Sequence, residues 1–156
     1  MKLRVKDRVG YQGIDYRVDD ILDYALADRS FRLARLVARL EAAREVRYLE
    51  TPTSDADGRV VVLAEIEKLD ITTPPPATIY HRSESYLLRV SGAATVTTAS
   101  GETRTCTLWR YRAAGDQFLQ IEQWPEKVRM FAGASVHVDM LEIRPATLKN
   151  SKDDTA

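Results

Sequence analysis

Apolar and polar residues alternate along much of this chain, which is the period-two pattern of half-buried β-strands. The stretches Leu63 to Glu67 and Val136 to Met140 show the alternation clearly. A third stretch, Thr103 to Tyr111, also alternates and is rich in the β-branched and aromatic residues that favour strands. The pattern therefore predicts an all-β protein.

The strand pattern occurs twice, once on each side of the run Pro74-Pro75-Pro76. Val9 to Val18 aligns with Ile79 to Leu88, which sets Tyr16 over Tyr86, and each copy predicts a strand, a turn and a strand. Because proline cannot join the hydrogen-bond ladder of a sheet, the proline run predicts a linker between two similar halves.

A later match sets Glu50 over Glu122, each at the end of a predicted strand. A catalytic group is seldom needed twice, so the duplication favours a structural role for both carboxylates, such as bonding a loop backbone. We therefore expect Tyr16, Tyr86, Glu50 and Glu122 to be structural residues at equivalent positions of a repeat.

These matches predict an all-β (mainly β) fold of two tandem, pseudo-symmetric small SH3-like barrels, or bent antiparallel sheets, packed together. The first β repeat covers residues 1–72 and the second covers residues 73–147, and the polar residues 148–156 predict a disordered tail. Each half alone is near the size at which one core becomes marginal, so a shared interface would stabilise both.

The segment from Phe31 to Leu49 supports two interpretations. Its Ala, Leu and Arg content, with Leu36 and Leu40 at helical spacing, favours an amphipathic helix. Its counterpart, Thr103 to Tyr111, is hard to reconcile with a helix, so the repeat favours strands. We predict strands in both copies.

Composition narrows the classes of function. Twenty-three basic residues balance 23 acidic ones, so bulk charge gives no support to nucleic-acid binding. Cys106 is the only cysteine, which suits a reducing compartment, and neither a signal peptide nor a membrane-spanning apolar run is recognisable. We expect a cytoplasmic protein that does not insert into a membrane.

The residue types that carry catalysis are scarce. No glycine-rich phosphate loop, nucleophile elbow or zinc-binding spacing is recognisable, and His81 and His137 lack a second ligand nearby. Cys106 shares strand parity with Leu108 and is expected to point inward. The sequence predicts no catalytic residue, no metal ligand and no cofactor. The acidic residues Asp19, Asp20 and Asp23 are expected to solvate a sheet edge rather than share a proton.

A basic stretch precedes the middle of the chain and consists of Arg29, Arg32, Arg35, Arg39, Arg44 and Arg47. It has two readings, a phosphate-binding surface and a solvated strand face. We favour the second, because acidic residues are threaded between the arginines and the apolar residues among them are mainly Ala and Leu rather than aromatic.

One predicted hairpin carries most of the aromatic residues of the second half. If Ala113 lies opposite Asp116, Tyr111 faces Phe118 and Thr105 faces Trp124. One face would then hold Trp109, Tyr111, Phe118, Glu122 and Trp124. This face is either the seam between the halves or an exposed surface for a partner, because aromatic residues dominate both kinds of contact.

Three short motifs together resemble a bacterial domain-of-unknown-function family, number 4178. They are the strand pair around Gly13-Ile14-Asp15-Tyr16, the triplet Trp109-Arg110-Tyr111, and Ile121-Glu122-Gln123-Trp124. The resemblance runs from about Leu3 to Pro145, and the stretch from Ala34 to Arg44 departs from it. It implies a small β-rich protein without an established activity, accessory to a membrane-stress or polyamine-related system.

The function predicted from these features is a non-enzymatic cytoplasmic binding or adaptor module with an unidentified protein partner. The alternative is a small-molecule or nucleic-acid binding protein that uses the seam between the halves.

Overall fold

A computed structural model describes residues 2–51 and 58–146 of the chain. In these residues the first half forms β1 (Arg8–Tyr11), β2 (Ile14–Ala25), β3 (Ser30–Arg39), β4 (Arg44–Thr51) and β5 (Arg59–Ile66). The second half forms β6 (Thr78–His81), β7 (Glu84–Thr97), β8 (Thr103–Ala113), β9 (Gln117–Gln123) and β10 (Val128–His137). A short 3-10 turn, Val138–Met140, leads to β11 (Leu141–Arg144). The all-β prediction is confirmed.

Residues 31–39 and 44–49 lie in strands joined by a turn at residues 40–43, so strand rather than helix is confirmed for this segment. β3 and β4 pair antiparallel from Arg32 opposite Thr51 to Arg39 opposite Arg44. The helical spacing of Leu36 and Leu40 does not come from a helix, because Leu36 lies in β3 and Leu40 lies in the turn after it. The adjacent residues Leu33 and Ala34 are both buried and lie on opposite faces of β3. A strand buried on both faces loses its alternation and can imitate a helix in the sequence.

The strands form one continuous antiparallel sheet in the order β11-β1-β2-β3-β4-β5-β10-β9-β8-β7-β6. β2 also pairs with β7, which closes the eight strands from β2 to β5 and from β7 to β10 into a barrel. The expected pair of small SH3-like barrels is not confirmed, because strands of both halves pair edge to edge in this single barrel.

Two seams join the halves within the barrel, and outside it β11 of the second half also pairs with β1 of the first. The β5–β10 seam is long and pairs Arg59–Ile66 with Met130–His137. The β2–β7 seam is short and pairs Asp23–Ala25 with Thr95–Thr97. The barrel is therefore held more extensively at one seam than at the other.

Buried apolar residues fall into three clusters. The first core consists mainly of Val9, Tyr16, Val18, Ile21, Leu36, Leu49 and Val62. The second core consists mainly of Ile79, Tyr86, Tyr111, Leu119, Ile121 and Met130. The shared core takes side chains from both halves: Tyr24, Leu33, Tyr48, Leu63, Val96, Cys106, Leu108, Trp124 and Phe131. The candidate site lies against this shared core.

The division into residues 1–72 and 73–147 stays a prediction, and the tail 148–156 lies outside the described residues. The proline run is attached to the second half, because the Tyr111 hydroxyl donates to the Pro76 carbonyl at 2.8 Å. The amide of Leu88 also donates to the carbonyl of Ala77 at 2.9 Å.

Candidate functional site

The β8–β9 hairpin has a different register from the predicted one. Tyr111 lies opposite Leu119 and Leu108 lies opposite Glu122, so the predicted pairing of Tyr111 with Phe118 is wrong by one residue. The loop has three residues, Ala114 to Asp116, because Ala113 pairs with Gln117. Gly115 and Asp116 take positive φ values of 72° and 57°, in the left-handed region that glycine and aspartate enter more readily than most residues.

A slip of one residue moves a side chain to the other face of a sheet, so the five predicted residues do not share one face. Trp109 and Tyr111 pack in or against the second core. Phe118 and Trp124 belong to the shared core or pack against it, and Glu122 lies on that same face. Phe118, Glu122 and Trp124 therefore lie at the shared core, where the first half also contributes side chains, and Trp109 and Tyr111 do not join them there.

Glu122 is fully buried, with 0 % of its surface exposed, and its carboxylate accepts hydrogen bonds from three side chains. The Tyr24 hydroxyl of the first half donates to Oε2 at 2.7 Å, and Gln120 Nε2 donates to the same oxygen at 2.7 Å. The indole nitrogen of Trp124 donates to Oε1 at 2.9 Å. Glu122 thus connects two aromatic side chains from opposite halves across the β2–β7 side of the barrel.

This environment changes the acidity of its neighbours. Burial raises the pKa of Tyr24 well above its ordinary value, and the charge and hydrogen bond of Glu122 act in the same direction. Burial, with a smaller contribution from Glu122, raises the pKa of Cys106 to about 12. Cys106 is therefore an inert, buried thiol at neutral pH, because the thiolate is the reactive form.

A cleft of about 300 Å³ opens beside this network at the β2–β7 seam, and we call it the seam cleft. Leu22 and Tyr24 of β2, Val96 of β7 and Trp124 form its apolar lining. Its polar lining consists of Thr98, Glu102, Arg104, Glu126, Lys127 and Arg129. The two aromatic residues of the lining are the same two that Glu122 holds.

Charges of both signs surround the seam cleft. Arg104 binds both carboxylate oxygens of Glu126 at 2.7 and 2.8 Å, and its guanidinium lies 5.1 Å from the centre of the Trp124 ring. Arg129 binds Glu65, and this hydrogen bond is the main cause of the lowered pKa of Glu65. The rim is therefore polar but has no strong excess of one charge.

Glu50 makes contacts unlike those of Glu122. Its Oε1 lies 2.5 Å from Nη2 of Arg110 in the other half, and both side chains are mostly buried. The Arg110 guanidinium also lies 4.9 Å from the Phe31 ring and 5.7 Å from the Phe118 ring. Both glutamates thus contact the opposite half, although through different chemistry.

Some atoms of this region have no well-aligned hydrogen-bond partner among the described residues. They are Oε1 of Glu50, Nε and Nη2 of Arg110, and Oε1 of Gln120. The close approach of Glu50 and Arg110 is thus an ionic contact with poor hydrogen-bond alignment. Some buried polar atoms next to the shared core therefore lack a hydrogen bond.

Tyr16 and Tyr86 occupy corresponding positions, each as the third residue of its strand, and both are buried. Tyr16 lies opposite Val9, and Tyr86 lies opposite Ile79. The two tyrosines belong to the first and second cores and do not reach the seam cleft.

The aspartates of β2 act within the sheet. The expectation that they solvate an edge was wrong, because β2 pairs with β1, β3 and β7. Asp19 pairs with Arg35, and Asp23 binds Arg32 at 2.7 Å. Asp20 accepts from the amides of Ile21 at 2.8 Å and Ala99 at 3.0 Å.

A family model for a domain of unknown function, DUF4178, matches residues 4–138. The chain belongs to this family. Comparison with curated proteins and with solved structures finds no match.

Within the described part of this DUF4178 protein, no group of three or more His, Cys, Asp or Glu side chains is arranged to hold a metal ion. None of the described helical segments is long and apolar enough to cross a membrane.

Sequence reasoning on this DUF4178 chain missed Tyr24, Gln120 and Arg110. The available signal was Gln120 and Glu122 at alternate positions of a short strand that is otherwise apolar and buried. Two polar residues at core positions indicate a buried polar network, because buried polar groups must be hydrogen-bonded. The partner Tyr24 had no signal, because it is distant in sequence.

Proposed function

We propose that this protein is a non-enzymatic binding module and that the seam cleft is its binding site. The observation that carries the proposal is the aromatic lining of the cleft by Tyr24 and Trp124, both fixed through Glu122. Because hydrogen bonds to Glu122 already hold both side chains, they lose little entropy on binding, which favours recognition.

The partner we favour is a protein that places one apolar or aromatic side chain in the cleft. A volume of about 300 Å³ accommodates a single large side chain with its flanking backbone. The surrounding pairs, Arg104 with Glu126 and Arg129 with Glu65, would form a polar rim around that anchor. A buried aromatic anchor within a polar rim is the usual arrangement of a protein-interaction hot spot.

The position of the cleft also supports this function. It lies at the short β2–β7 seam, so a bound side chain would contact both halves of the barrel. The contact would add apolar burial where the two halves share the least backbone pairing.

The test is to fill the cleft with a larger side chain while leaving Tyr24 and Trp124 unchanged. Thr98 is half-buried and lines the cleft, whereas Thr95 of β7 is exposed and lies outside the lining. Thr98→Arg should abolish capture of a stoichiometric partner from the native source, and Thr95→Arg should leave it intact. Equal capture by both variants, with unchanged melting temperatures, would contradict the proposal.

A second candidate is a small-molecule binding protein that uses the same cleft. The volume favours this alternative, because ligand sites begin at about 300 Å³. Native mass spectrometry of the purified protein distinguishes the two, since a small ligand would co-purify with the wild type and not with Thr98→Arg. The mixed charges of the rim make nucleic acid a less favoured ligand than a protein or a small molecule, because binding to the phosphate backbone of nucleic acid depends on an excess of Lys and Arg.

We further propose that the two halves arose by duplication. Each half has a bulge at the corresponding point of its long strand, between Val18 and Asp20 and between Leu88 and Val90. An SH3-like ancestry of each half, a bacterial cytoplasmic location and an accessory role in a membrane-stress or polyamine-related system belong to the same proposal.

A further inference from the structure

The outer face of the first half carries a groove of about 720 Å³ that shares no lining residue with the seam cleft. Four arginines line it: Arg8, Arg17, Arg39 and Arg44. The remaining lining residues are two aspartates, Asp15 and Asp19, together with small and aliphatic residues. The groove is thus a concave surface with four arginines and two aspartates.

The strand register places these arginines directly opposite one another. Arg8 of β1 lies opposite Arg17 of β2 and also opposite Arg144 of β11. Beside the turn of the β3–β4 hairpin, Arg39 of β3 lies opposite Arg44 of β4. Directly opposed residues share a face, and like charges in that position repel and destabilise a sheet.

The carboxylates nearby neutralise only part of this charge. Asp15 is shared between Arg8 at 3.1 Å and Arg144 at 2.8 Å, and Asp19 pairs with Arg35 outside the groove. In the described part of the chain, Arg17, Arg39 and Arg44 have no ion pair with a carboxylate. The groove therefore keeps uncompensated positive charge.

The fold does not require arginine at these positions. In the hairpin of the second half, the pair that corresponds to Arg8 and Arg17 is Thr78 opposite Leu87. The same hairpin geometry is thus built from neutral residues. The opposed arginines are a feature of the groove and not of the β-sheet.

We propose that this groove binds a phosphate-bearing small anion with two or more negative charges. Guanidinium groups bind phosphate oxygens in a bidentate manner, and an anion between opposed arginines would turn their repulsion into attraction. Apolar residues of the lining, Ile14, Val37 and Leu40, would contact the uncharged part of such a ligand. A groove without an aromatic side chain offers no stacking surface for nucleic-acid bases.

The experiment is calorimetric titration of the full-length protein with inorganic pyrophosphate. Arg39→Gln combined with Arg44→Gln should weaken binding at least about tenfold, as expected for lost hydrogen bonds to a charged group. The matched control combines Arg82→Gln with Arg89→Gln, two exposed arginines of the second half outside the groove lining. The control removes the same charge and should leave the affinity within about twofold of the wild type, a small fraction of that expected loss.

A thermal melt separates binding from a structural role. Without anion, the Arg39→Gln and Arg44→Gln protein should melt at the same temperature as the wild type or higher, because repulsion is removed. Pyrophosphate should raise the melting temperature of the wild type and of the control only. Equal weakening in both double variants, or no saturable pyrophosphate binding by the wild type, would overturn the proposal. Binding of a single-stranded oligonucleotide without a pyrophosphate response would overturn it as well.

Discussion

Replacing Glu122 with methionine tests whether its buried carboxylate holds the barrel together. Methionine has a similar length but accepts almost no hydrogen bond, so the donors of Tyr24, Gln120 and Trp124 would lose their common acceptor. An unsatisfied buried donor costs about 1 to 3 kcal/mol, and the Tyr24 hydroxyl can turn to lessen its share. We expect Glu122→Met to lower the free energy of unfolding by about 3 to 6 kcal/mol.

Glu122→Gln should cost less than Glu122→Met. A glutamine at this position can keep an oxygen toward Trp124 and present its amide nitrogen to Gln120. The Oε1 atom of Gln120 has no partner among the described residues, so Gln120 can turn its amide and accept that hydrogen bond. The two variants therefore separate the loss of the acceptor from the loss of charge.

The decisive measurement is a double-mutant cycle with Tyr24→Phe. Once the tyrosine hydroxyl is absent, Glu122→Met leaves one donor fewer unsatisfied, so the two changes should couple by about 1 to 3 kcal/mol. Urea unfolding followed by both tryptophan fluorescence and circular dichroism gives these free energies if the transitions coincide. Glu126→Met alters an exposed carboxylate and should not move the unfolding midpoint. A coupling energy within 0.5 kcal/mol of zero, a threshold of about the ordinary error of additivity, would refute the network.

Three further predictions concern the seam and the cores. Gly133→Ala should lower the free energy of unfolding in urea by about 3 kcal/mol or more, because its new Cβ would lie 1.8 Å from the Val62 carbonyl oxygen across the β5–β10 seam. The control Ala134→Gly should lower the free energy of unfolding much less. The urea midpoint of unfolding should decrease as the pH is raised from about 9 to about 12. Burial raises the pKa of Cys106 and of Tyr111 to about 12, so the unfolded chain loses these protons at a lower pH than the folded protein does. A midpoint that stays constant over this range would contradict the prediction. Trp124→Ala should lower the free energy of unfolding by about 3 to 5 kcal/mol and Trp109→Ala by distinctly less, because Trp124 is only 7 % exposed and Trp109 is half-buried. Equal losses of stability in thermal melts would contradict the assignment of Trp124 to the shared core.

The strands were predictable where one face of the sheet is buried. The alternation in β5 and β8 indicated strands correctly, and the match of Tyr16 with Tyr86 placed two corresponding hairpins. β3 lacks a clean alternation because both of its faces are buried, so only comparison with the other half identified it.

The closure of the barrel and the polar network were not predictable in the same way. Which strands pair at the seams depends on contacts between residues far apart in the chain, such as Tyr24 and Val96. The hairpin register depends on the length of its loop, which has three residues, Ala114 to Asp116, where the sequence predicted two. The extra loop residue places Trp109 and Trp124 on opposite faces of the sheet.

The seam cleft and the polar network that joins the halves share two residues. Tyr24 and Trp124 line the seam cleft, and the same pair connects the halves through Glu122 where β2 and β7 are joined only from Asp23 to Ala25. The opposite seam is joined along the whole of β5, so local opening of the barrel should begin at β2 and β7. A partner that packs against Trp124 would oppose this opening, because a ligand that binds only the closed barrel stabilises it. Under the proposed function, a partner bound in the seam cleft would therefore contribute to closure at the seam with the shorter backbone pairing.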